Sequence, residues 1–433
     1  MTKLSTLVLL FGGPLAAQPL INGPMTGPPD LMEVTVWAQC LGGCSAYITY
    51  WPVQEPQRVT TTGSITSNAD HAHAMDFRLG PLLPGTEYRY VLHTSDGSSE
   101  RRDTLTFRTQ ALWKFRTDPP PFKVALGSCA YINESAYDRP GRAYGDTYGI
   151  FNTIADQKPD LMLWLGDNVY LREPDWGSWS GFMHRYTHTR STPELQRLLR
   201  STAHAAIWDD HDFGPNDGDG SFVGSEMARK AFDLFWPNPS NGVPGVEGTT
   251  SMFSYYDVDF FLMDDRTFRV AADMRTSEPT VLGNAQVEWL IRALKYSDAS
   301  FKCVAVGSQV LNTGAVYENY STVPKERDEL LRRIEEEGIK GVVFLTGDRH
   351  FTELSALKLK DGRTVYDLTT SPLTSGPYTP KEENTLREEG TVVAERNFST
   401  IEVSGAKGAR TMLIRVFDAT GKQRWERSIV QDQ

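Results

Sequence analysis

Five short apolar runs in this chain end in residues that can hold a metal. The run at 161–165 stops at Gly166-Asp167-Asn168-Val169-Tyr170, which sets an acid and a phenol three residues apart. Four others stop at Ser128-Cys129, Asp209-Asp210-His211-Asp212, Ser308-Gln309 and Gly347-Asp348-Arg349-His350. Open α/β sheets bind ligands outside the carboxyl ends of their strands, so this pattern calls for a fold that gathers five strand ends at one crevice. Each motif alone has a structural explanation: a polar turn, a capped loop, or a core aromatic with a wetted hydroxyl. Together they point to one site.

The chain's texture changes near its first quarter. Between 32 and 109, β-branched and aromatic runs alternate with Gly, Pro, Asn and Asp turns at 32–39, 45–52, 58–67, 75–79, 88–93 and 104–109. That spacing predicts a small β-sandwich over 20–110. Within it, Leu83-Pro84-Gly85-Thr86-Glu87-Tyr88-Arg89-Tyr90 resembles the turn and tyrosine-bearing strand of fibronectin type III domains. His71 and His73 read as an exposed loop pair. Residues 111–121, with Pro119-Pro120-Pro121, have linker composition. From 122 to 433, strand-like runs at 122–126, 161–165, 204–208, 255–263, 301–306 and 341–345 alternate with helical periodicity at 148–157, 192–200, 226–236, 284–296 and 325–337. This is the pattern of an α/β domain. Strands return between 396 and 430, with Asp418-Ala419-Thr420-Gly421 as a hairpin turn.

At 433 residues, two or three domains with sizeable cores are expected. The net charge of −11 opposes an extended nucleic-acid surface, while leaving room for a local cationic pocket. A lysine, an apolar run at 7–11 and Ala16-Ala17 read as a secretory signal over 1–17; a buried N-terminal strand is the alternative. No later run is apolar enough for a membrane anchor, so a secreted or periplasmic monomer is expected. In that compartment, Cys40 and Cys44 flank three residues between strands and are placed for a disulfide. Cys303 reads as a buried small hydrophobe, which leaves Cys129 unpaired.

Ligand hardness separates two sites. Cys129, Tyr170, His350 and Asp167 suit a Lewis-acidic transition metal, with ferric iron matching thiolate and phenolate together. Asp167, Asp210, Asp348 and the amide of Gln309 suit an oxygen-only cation: calcium, magnesium or manganese. Asp167 belongs to both sets. With only His211 and His350 in these motifs, a histidine-rich dizinc centre is disfavoured.

These residues resemble the PhoD-like alkaline phosphatases of the calcineurin-like metallophosphoesterase superfamily. The resemblance rests on Gly-Ser-Cys at 127–129, Gly-Asp-x-x-Tyr at 166–170, Trp-Asp-Asp-His-Asp at 208–212 with Asn216, and Thr-Gly-Asp-x-His at 346–350. It implies a four-layer αββα catalytic fold behind a β-sandwich. It also implies Fe3+ held by Cys129, Asp167, Tyr170 and His350, and Ca2+ held by Asp167, Asp210 and Asp348. The chain departs from the family pattern at Asp212, where glutamate is usual, at Pro215, which leaves Asn216 without its paired asparagine, and at Leu171, which replaces an acid. The expected activity is hydrolysis of small-molecule or lipid phosphate esters by metal-activated hydroxide. His211 is expected to protonate the leaving group or to be a structural histidine. Arg266 either clamps the phosphate or pairs internally with Asp264 or Asp265, and Asn168 is a further phosphate-binding candidate. The rival readings are a phosphodiesterase on the same centre and a non-enzymatic secreted binding protein.

Overall fold

In the computed structural model, the structure describes residues 21–95 and 104–432. The expected signal at 1–17 lies outside them. Two sheets carry most of the chain. In the larger, nine-stranded sheet, Phe122–Gly127, Leu161–Leu165 and Ala203–Ile207 run parallel at the centre, flanked on one side by Asn397–Ser404, Thr411–Asp418 and Gln423–Val430. In the six-stranded sheet, Val258–Leu262, Phe301–Val306, Val342–Thr346 and Thr364–Thr369 run parallel.

Alternation along the strands explains how the layers stack. Phe122, Val124 and Leu126, with Leu161, Leu163 and Leu165, face the second sheet, where they meet Phe260, Leu262, Cys303 and Leu345. Their neighbours Ala125, Met162 and Trp164 point the other way, onto helices Ile150–Asp156, Trp179–Arg190, Pro193–Ser201 and Ser225–Phe235. The outer face of the six-stranded sheet offers Phe261, Val304, Val306 and Phe344 to helices Asn284–Tyr296 and Pro324–Glu336. Both faces of each central strand are therefore dry, which is why those strands read as unbroken apolar runs.

The N-terminal segment departs from a bead on a flexible linker. Val34–Cys40 and Ala74–Leu79 pack across Val36, Ala38, Ile48, Phe77 and Tyr90 onto Ser45–Pro52, Glu87–Ser95 and Thr104–Arg108. Yet Val34–Cys40 also pairs with Ile21–Thr26, which meets the central strand Ala203–Ile207 in parallel at Thr26 and Ala203. One sheet thus runs through both parts of the chain. The strand expected at 58–67 is two short pieces, Thr60–Thr61 and Ile65–Thr66, interrupted around Gly63. The proline-rich stretch is strapped down: Arg410 donates to the carbonyls of Pro119 and Pro120 at 3.1 and 3.0 Å. Cys40 and Cys44 form a disulfide, while Cys129 and Cys303 are buried thiols.

Candidate metal centre

The parallel strands of both sheets end on the same side, and the turns that follow them interlock. Cys129 N–H donates to the carbonyl of Gly166, and Gly347 N–H donates to that of Gly307. Space there is so short that a Cβ on Gly166 would lie 2.6 Å from Asp209 Cβ. Gly166 meets the constraint with φ of 90°. Cys129, Asp167, Asp348 and His350 also adopt left-handed backbone, at φ of 59°, 53°, 62° and 56°. Such strain costs on the order of 1–3 kcal/mol per residue and persists where the surroundings fix a functional geometry.

Asp167 stands at the middle of the cluster. Its Oδ2 accepts from the Tyr170 hydroxyl at 3.0 Å and lies 3.5 Å from Cys129 Sγ, while its Oδ1 accepts from the His211 backbone N–H at 3.3 Å. The Tyr170 hydroxyl is 3.3 Å from His350 Nε2 and also accepts from Ser375 Oγ at 3.0 Å. His350 Nδ1 donates to the carbonyl of Gly376 at 2.7 Å, so the proton sits on Nδ1 and the Nε2 lone pair faces the cluster. Ser371 Oγ donates to Cys129 Sγ at 3.1 Å, support suited to a thiolate.

Single ligand-capable atoms of Cys129, Asp167 and His350 lie within 4.8 Å of one another. The same is true of Asp167, Asp210 and His211, and of Asp209, Asp210 and Glu318. Asp167 is therefore shared by a group that adds a thiol and an imidazole and by one that adds a carboxylate and an imidazole, while the all-carboxylate group meets the latter at Asp210. The buried acceptors Asp209 Oδ2, Asp210 Oδ1, Asp265 Oδ1 and Asn168 Oδ1 have no hydrogen-bond donor. Of these, Asp209 Oδ2 and Asp210 Oδ1 belong to the close groups, and bare acceptors in a dry site are costly unless a cation meets them, so this donor set fits bound metal. The electrostatics agree. Burial, followed by the charges of neighbouring acids, pushes the Asp167 carboxyl well above the usual carboxylate range, and burial does the same to Asp209 although the Arg266 charge opposes it. Burial and then Asp167 do the same to the Cys129 thiol and the Tyr170 phenol. Burial and the charges of Glu318 and Asp210 push Asp348 up to about 7. Nearby cations would reverse that pressure.

Not every expected residue reaches the cluster as a ligand. The Gln309 side-chain oxygen accepts from Asn312 and Arg349 at 2.8 and 3.0 Å, and its nitrogen donates to Glu353 and Thr369. Its amide is fully used by neighbours. Asn168 is buried; its side-chain nitrogen donates to the carbonyl of Ile207 at 2.8 Å and its backbone N–H donates to Asp212 at 3.1 Å. Arg266 is also buried, donating to Asp209 and, at 2.7 and 3.0 Å, to Glu318. Its partners are thus acids outside the expected pair, with Asp265 only at 3.8 Å. Asp348 faces Asp210 and Glu318 without joining any of the three close groups. The departure at Asp212 has a structural use: its carboxylate accepts from the backbone N–H groups of Asp209, Asn168 and Val169 and so ties two strand-end loops together.

His211 sits between this cluster and the outside. Its ring lies 4.2 Å from that of Tyr170, and its Nε2 is 4.0 Å from Asp210 Oδ2. Both rings line a cleft of about 310 Å³ that also reaches Asn216 and Tyr144. Glu318 escaped the sequence reading because it lies in a loop, ten residues beyond Ser308 and away from any apolar run. Asp209 was visible only as a neighbour of Asp210.

Two packed sheets flanked by helices thus hold a metal-fitting cluster at their shared strand ends. The chain belongs to the PhoD-like phosphatase family, whose sequence model matches residues 125–409. Alkaline phosphatase D of Bacillus subtilis is 21% identical, over 79% of this chain and 66% of that protein, so the chain spans just under two thirds of that relative. A solved structure of PhoD superposes with a TM-score of 0.75 at 16% identity, covering 95% of this chain and 92% of the other. Purple acid phosphatase PPD1 from yellow lupin superposes at 0.72 with 11% identity, covering 96% and 75%. At such identities these structures speak to the fold.

Proposed function

We propose that this protein hydrolyses phosphate esters at the centre built around Asp167. The observation that carries the reading is that one carboxylate is shared between two ligand groups, one with the Cys129 thiol and one with the Asp210 carboxylate. Cys129, Tyr170, His350 and Asp167 would hold ferric iron; Asp167 and Asp210, with Asp348 close by, would hold calcium, or magnesium or manganese in its place. Bound there, the two cations supply positive charge and Lewis acidity against a phosphoryl group. The chain's own residues do the rest. His211, facing both cluster and cleft, passes a proton to the departing alkoxide; burial lowers the proton affinity of its ring, and the neighbouring Asp210 charge offsets that only in part. Arg266 acts as a positioning residue that keeps Asp209 and Glu318 in place. Replacing Asp167 by asparagine is expected to lower kcat/KM on phenyl phosphate by at least about a thousandfold, since it removes charge from both groups. Unchanged turnover in that variant would refute the reading.

The same proposal extends to the chain's organisation. The three apolar layers support a four-layer αββα catalytic region beginning near 122. A fibronectin-III/Ig-like module over 20–110 is supported by the Tyr88 hydroxyl, which accepts from Leu83 N–H at 2.8 Å as in a tyrosine corner. Export is supported by the Cys40–Cys44 disulfide, since such bonds persist in oxidising compartments. Among the described residues, no helix is long and apolar enough to cross a membrane.

A further inference from the structure

The cleft beside His211 carries charge that phosphoryl chemistry does not use. One loop, 133–149, supplies much of its wall. The floor of that wall is neutral. Arg172 donates to Asp138 and to the carbonyl of Ile132 at 2.8 and 2.9 Å, and stacks 4.1 Å over the Tyr131 ring. Asp138 also accepts from the Tyr131 hydroxyl at 2.8 Å and from Glu134 N–H at 2.7 Å, so its charge is fully engaged.

The rim is different. Arg139 meets Glu173 only at 3.5 Å, with side chains 83% and 55% exposed, a pairing too wet to hold either charge firmly. Arg142 lines the cleft, is exposed, and has no ion pair or hydrogen bond among the described residues. Tyr144 lines the same cleft, 43% exposed, its ring propped edge-on against Tyr131 at 4.9 Å and its hydroxyl 3.1 Å from His350 Nδ1. Arg396 fixes the base of this segment by donating to Asp146 at 3.0 Å. A half-exposed aromatic ring and an exposed guanidinium thus line the mouth of one cleft in a chain of net charge −11, a pairing whose chemistry suits an anionic ring.

We infer that the leaving-group side of the cleft selects phosphate esters whose alcohol portion is a planar ring bearing a second negative charge, with Arg142 meeting that charge and Tyr144 the ring. This rests on the phosphatase reading of the adjoining centre. It is tested by calorimetric titration of the metal-loaded full chain with phenylphosphonate and with 4-carboxyphenylphosphonate at low salt. The carboxylated compound is expected to bind about fivefold tighter, as suits one charge pair near a protein surface. That advantage should vanish in Arg142→Ala and reverse in Arg142→Glu. Equal affinities in the unmodified protein, or an advantage that both variants retain, would overturn the inference. Phenyl phosphate turnover on the same preparation separates the two layers. Turnover with equal phosphonate affinities overturns this inference alone, whereas absence of turnover overturns the phosphatase reading and takes the inference with it.

Discussion

Asp348 holds a left-handed backbone at φ of 62°, and its carboxyl, pushed up to about 7, faces the acids Asp210 and Glu318. Arg349, at 4.0 Å, and the charge of Arg266 offset this only in part. In the metal-free chain the residue is therefore strained twice, by its backbone and by like charge. Asp348→Gly relieves both, because glycine adopts positive φ freely and carries no charge. The chelator-treated variant is expected to be more stable than its parent by about 1 kcal/mol, read from urea midpoints, while losing metal affinity. A less stable metal-free variant would show that the left-handed turn serves folding rather than the centre. The same reasoning covers Cys129, Asp167 and His350, whose left-handed backbones cluster at the positions proposed for ligands.

Among the elements, the helix Trp179–Arg190 shows where sequence reading falls short. It buries Arg185 and Arg190 alongside Phe182 and Tyr186, so its inward face lacks the apolar stripe that marks a helix. Arg185 donates to Asp175 at 2.8 Å and pairs with Glu134 at 2.8 Å, and Glu134 also meets His184 at 3.0 Å. Burial raises the Glu134 carboxyl, but the His184 hydrogen bond and the Arg185 charge outweigh it and hold the group below its ordinary 4.5. A depressed folded value contributes stability above the unfolded value, and that contribution is lost as pH falls through the folded one. Glu134→Gln should therefore cost on the order of 1–3 kcal/mol at pH 7, and the gap in urea midpoint should close as pH drops below 4.5. A gap independent of pH would assign the loss to shape rather than charge. By contrast, the helices Asn284–Tyr296 and Pro324–Glu336 were legible within a residue, because Leu290, Ile291, Leu330 and Ile334 recur at helical spacing on one face. The strand-end motifs were legible for a related reason. A strand dry on both faces must read as an apolar run, and its ligands must follow it. Glu318 had no such run before it, and nothing local in the sequence marks Gln309 as closed off by four partners.

For the whole molecule, the least legible feature is the seam between the N-terminal strands and the catalytic sheet. A single parallel register pair, Thr26 with Ala203, joins segments that lie far apart in the chain, and no local pattern announces it. The seam also changes what truncation should do. Residues 21–26 and the strands behind them cover the edge of Ala203–Ile207, and Gln110 donates to the Ser254 carbonyl at 2.9 Å. A chain beginning at 111 would uncover that edge and invite intermolecular pairing. Size-exclusion chromatography is expected to show it aggregated, and a stable monomer with native metal content would mean the two parts fold independently.

In the proposed centre, Asp167 would join an iron site built from Cys129, Tyr170 and His350 to a calcium site built chiefly from carboxylates. Elemental analysis combined with visible absorption, on chelator-free preparations of the unmodified protein and of Tyr170→Phe, tests it most directly. Iron together with calcium is expected, with a phenolate-to-iron absorption band that disappears in Tyr170→Phe. Protein carrying zinc alone, or a band that survives the substitution, would contradict it.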